Sequence, residues 1–90
     1  MNLDDALFNW LQIKHVAENR PDDHAAQDTF QFFTQILKED FKLEDIKVTA
    51  ENGLYVVQFI KNGEKCTRQF PVEFVNQLLY DIEQEPKYNE

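Results

Sequence analysis

Apolar and polar positions follow three successive rhythms along this chain. From Leu3 to Asn19, residues Leu3, Ala6, Leu7, Trp10, Leu11, Ile13 and Ala17 share one stripe at the helical period, which predicts an amphipathic helix. Pro21 ends it, because the residue before a proline is steered out of the α region. Asp22 or Asp23 caps a second helix, which runs to about Asp40. Its apolar stripe is Ala25, Ala26, Thr29, Phe30, Phe32, Phe33, Ile36 and Leu37, with His24, Gln27, Asp28, Gln31, Thr34, Gln35, Lys38 and Glu39 on the other face. The short link between the two predicts an antiparallel helical hairpin.

After residue 45 the period falls to two. Asn52-Gly53 and Asn62-Gly63 each stand between β-rich runs, and both residue types accept the positive φ of a tight type I′ turn. Two-residue loops at these points set a register. Glu51 faces Leu54, Ala50 faces Tyr55, Val48 faces Val57 and Ile46 faces Phe59, while Cys66 joins Phe59 and Phe70 joins Tyr55 on the same apolar face. Lys47, Thr49, Gln58, Lys65, Thr67 and Gln69 fall on the opposite face, and a slip of one residue would turn the polar set inward. The strands are expected over roughly 45–51, 54–61 and 64–70. The helical rhythm then returns from Pro71, a favoured first-turn proline, with Val72, Val75, Leu78, Leu79 and Ile82 facing inward and Pro86 just past the end.

The order α-α-β-β-β-α predicts an α+β fold, a three-stranded antiparallel meander with helices packed on one face. Ninety residues leave room for one core, so a single domain over 1–85 with a short tail at 86–90 is expected. A chain that is 42% hydrophobic, with eight phenylalanines, is too apolar to be disordered despite its charge. The one cysteine, Cys66, has no internal disulfide partner, and no apolar run approaches the ~20 residues of a membrane helix. The start Met1–Asp5 lacks a basic leader, so a cytoplasmic location is expected.

Net charge is −8, unevenly spread. Residues 1–45 carry ten acidic and four basic side chains, residues 46–70 two and four, and residues 71–90 five and one. The acidic stretches disfavour nucleic acid and anionic lipid. The middle stretch places Lys47 and Lys65 on the outer sheet face, but that face lacks the aromatic platform on which bases stack.

Catalytic and ligand motifs are lacking. The chain has no serine, hence no Ser-His-Asp triad, and two turn glycines cannot form a phosphate loop. His15 and His24 lie on different helices, and Glu39, Asp40, Glu44 and Asp45 read as solvated charge at a helix end. Cys66 is expected in the core as an inert small hydrophobe. The expectation is a non-enzymatic protein with no catalytic residue, metal or cofactor, acting as an interaction or regulatory module. Its partner would be another protein or a second copy of the chain, with neither nucleic acid nor membrane. The candidate surface is Leu54, Val56 and Ile60 on the outer sheet face, with Phe8 on the polar side of the first helix and Arg68, the one charge directed at the apolar sheet face. Arg68 must reach a carboxylate or extend to the sheet edge. Two alternatives stand beside this reading: an acidic inhibitor that mimics nucleic-acid phosphates, and a small ligand-binding protein or enzyme with a pocket between helices and sheet.

Overall fold

The structure, a computed structural model, describes residues 1–84; the tail at 86–90 and its Pro86 lie outside that range. Helix α1 (Leu3–Asn19) is followed by α2 (His24–Gln35), which ends in one π-helical turn (Ile36–Asp40). Strands β1 (Leu43–Glu51), β2 (Leu54–Lys61) and β3 (Glu64–Pro71) form an antiparallel sheet in that order, and α3 (Val72–Gln84) follows directly. The fold is α+β with the helices packed against the sheet, and α1 lies between α2 and α3.

Local chemistry explains the boundaries. Asn2 caps α1 by accepting the Asp5 N–H at 2.8 Å, and Asp23 caps α2 by accepting the Ala26 N–H at 3.0 Å. Asn52, Gly53, Asn62 and Gly63 all adopt positive φ, as two type I′ hairpins require. Pro71 belongs to β3, paired with Leu54, rather than to the first turn of the last helix. The α3 helix starts one residue later, where the Val72 N–H donates to Gly53 O across the first hairpin.

The register holds from Val48–Val57 through Glu51–Leu54 and throughout the second hairpin. The expected Ile46–Phe59 pair does not form. Glu44 pairs with Ile60 and Lys47 with Gln58, so Asp45 and Ile46 together oppose Phe59 in a β-bulge, with Asp45 at φ 53°. The physical reason is Leu43. Strict alternation would put it on the outer face, whereas the extra residue brings it inward opposite Lys61, where it is 3% exposed. The strand consequently begins at Leu43 instead of residue 45.

The core joins Ala6, Leu7, Trp10 and Leu11 of α1 to Leu37, Leu43, Val57, Phe59 and Val75. A second cluster, Val16, Ala17, Ala26 and Leu79, ties the three helices together. The α2 stripe is narrower than the sequence predicts. Ala26 and Leu37 are buried and Phe30 and Phe33 half-buried, but Ala25, Thr29 and Phe32 are exposed. With α1 its main neighbour, α2 has no element among the described residues packed over its far side.

Candidate functional site

Between α2 and the start of β1 lies an open cleft of about 860 Å³. Trp10, Phe30, Leu43 and Ile46 supply its apolar part, and Gln31, Thr34 and Gln35 its helical wall. Lys38 and Glu39 of the π-turn and Asp45 of the bulge also border it, as does Glu44, which pairs with Ile60 and so turns its side chain to the outer sheet face. The Trp10 indole donates to Thr34 Oγ1 at 2.9 Å, and the Thr34 hydroxyl donates in turn to Phe30 O at 2.8 Å. Thr34 thus fixes the tryptophan at the base of the cleft, although the sequence pattern places it on the polar face. Two irregularities shape this corner. In the π-turn the Phe41 N–H reaches back five residues to Ile36 O, and Lys42 then takes φ 59° to turn the chain into β1. The signal for the bulge is present in the sequence: Leu43 is an apolar residue on the wrong side of the alternation.

The outer sheet face is a second candidate. Leu54, Val56 and Ile60 of the central strand lie half-exposed on it, and none joins either core cluster. Asp45, Lys47, Gln58, Ile60, Lys65 and Thr67 border a shallow groove of about 380 Å³ there. Phe8 and Arg68 are drawn into the structure instead. Phe8 is half-buried against Phe70, with ring centroids 6.0 Å apart. Arg68 pairs across the strand with Val57, and its Nε donates to Asp4 Oδ1 at 3.0 Å. Its guanidinium carbon sits 5.8 Å from the centroid of the Phe59 ring, and its NH1 donates to Thr67 O at 3.0 Å.

Those contacts leave both sheet edges blunted. Edge strand β1 carries the bulge, and edge strand β3 carries Arg68, which occupies a backbone carbonyl of its own strand. The face of the sheet, not its edge, is therefore the accessible surface.

The remaining sequence candidates do not assemble. Among the described residues no group of three His, Cys, Asp or Glu side chains is placed to hold a metal ion. Cys66 is half-buried rather than enclosed, because β3 is an edge strand, and its thiol lies 3.7 Å from Glu64 O. The Asp23 carboxyl is held below its ordinary range by the Ala26 N–H, with Arg20 assisting and partial burial opposing. That shift belongs to a helix cap and has no chemistry beside it. No described helix is long and apolar enough to cross a membrane. Comparison with known proteins finds no matching family model, no matching curated protein and no matching solved structure.

Proposed function

We propose that the protein is a non-enzymatic interaction module that binds another protein through the open face of its sheet. One observation carries this reading. Leu54, Val56 and Ile60 line the central strand on the face away from the helical layer, with Gln58 between Val56 and Ile60. An apolar strip with Lys47, Thr49, Thr67 and Gln69 around it has the makeup of an interface centre within a polar rim. The blunted edges direct association to that face.

Val56→Glu tests the reading, because position 56 is half-exposed and the substitution leaves the core untouched. Tagged wild-type and variant proteins, matched by circular dichroism, are compared in pull-downs from nuclease-treated native lysate. A protein retained by the wild type and lost with Val56→Glu is the expected result. Equal retention by both, or no protein retained by the wild type, rejects the open face as the site.

A further inference from the structure

The side chains on the open face of the sheet are self-complementary. Strand β2 presents Leu54, Val56, Gln58 and Ile60 down its middle, each flanked by one residue of β1 and one of β3. The flanks of Ile60 are opposite in charge: Glu44 stands on one side and Lys65 on the other. Both are exposed and two strands apart, and neither has an ion-pair partner among the described residues. A two-fold axis running along β2 exchanges β1 with β3. It lays Leu54, Val56 and Ile60 on their own copies, lets the Gln58 amides pair donor to acceptor, and brings Glu44 onto the partner's Lys65 twice over. Asp45 borders the same groove on the Glu44 side and reinforces that contact. Lys47 then meets the partner's Thr67, and Thr49 the partner's Gln69, so these rows set no like charges face to face. An axis across the strands, through the middle of the face, would instead set Glu44 against the partner's Glu51.

We infer that in the free protein this face is covered by a second copy of the chain, in a two-fold dimer whose axis follows β2, and that a protein partner must displace that copy. The inference rests on the reading of the open face as an interface and names what occupies it first. Aligned sheets pack within about 30° of each other, an offset that the long Glu44 and Lys65 side chains span. Three strands about 4.8 Å apart, at about 3.3 Å per residue, give a face of roughly 380 Å² in projection. A face of that size is at the low end for specific association, so the dimer is weak and depends on concentration. The blunted edges oppose strand-to-strand pairing as a competing route.

Sedimentation velocity of the wild type, from micromolar to millimolar concentration, should show a monomer–dimer equilibrium. Glu44→Lys and Lys65→Glu should each weaken the dimer about tenfold or more, because each creates two like-charged contacts in it. Mixed in equal amounts, the two variants should regain the dimer, since each supplies the charge that the other lacks. Circular dichroism checks that each variant is folded. A wild type that stays monomeric, a dimer that neither reversal weakens, or weakened variants that mixing does not rescue would each overturn the inference. A monomeric wild type whose captured protein is still lost with Val56→Glu rejects the dimer and leaves the face as a protein-binding site. A dimer rescued by mixing, with the captured protein retained by Val56→Glu, upholds the dimer and rejects the face as the site for that protein.

Discussion

Arg68 stands on the inner face of an edge strand, yet its charge stays out of the core. The stem crosses the Phe59 ring, and the guanidinium meets Asp4 of α1 where its side chain is still 42% exposed. An ion pair this exposed contributes little, so Arg68→Met should change stability by less than about 1 kcal/mol in urea unfolding. It also frees the Thr67 carbonyl and removes the inward charge, so self-association on a sizing column should rise. A monomer at every concentration would show that Arg68 does not guard the edge. Phenylalanines divide in a similar way by exposure. Phe59, at 2%, should cost about 3–5 kcal/mol on truncation to Ala, whereas half-buried Phe33 should cost clearly less. Equal losses would place Phe33 in the core after all. The inward direction of Arg68 was legible from the hairpin register alone. Its partner was not, because Asp4 lies sixty-four residues away and only the docking of α1 brings it near.

At the scale of elements, strongly periodic segments were read correctly and irregular ones were not. The α1 helix matches its predicted limits, Leu3 to Asn19, because Asn2 and Pro21 bracket a single unbroken stripe. The bulge and the π-turn escaped because each breaks the period on which the reading depends. The bulge has a measurable signature. Asp45→Val should cost about 1–2 kcal/mol, since a β-branched residue resists positive φ, whereas Asp45→Gly should be tolerated. If valine were harmless there, Asp45 would not hold that conformation in solution. The cap of α2 has a pH signature. The Asp23 carboxylate titrates lower in the folded protein than in the unfolded chain, so its contribution is present above the ordinary carboxylate range. It is lost as pH falls through the depressed folded value. Asp23→Ala should cost about 1 kcal/mol at pH 7 and progressively less in acid. A constant loss at every pH would mean that the charge plays no part in the cap.

For the whole molecule, the arrangement of layers mattered more than the list of elements. The order of helices and strands predicted an α+β fold with one covered face, and the structure has it. A pocket between helices and sheet stood among the alternatives, but the place of the cleft was not legible, since it depends on α2 lying beside α1 and leaving the start of β1 partly uncovered. That layer has the first helix in its middle, flanked on one side by the last: Val16 and Ala17 close against Leu79. This has a consequence in time. The two hairpins join neighbouring stretches and can form early, whereas α1 and α3 must meet across most of the chain. Leu79→Ala should therefore act mainly by speeding unfolding, leaving the folding rate in stopped-flow nearly unchanged. A loss carried wholly by slower folding would put that contact in the nucleus. During synthesis α1 emerges ahead of α2 and α3, yet the same geometry makes it one of the last of the three to be enclosed. Its apolar stripe waits in the open until α3 arrives, and over that interval a nascent chain of this fold has most need of a chaperone.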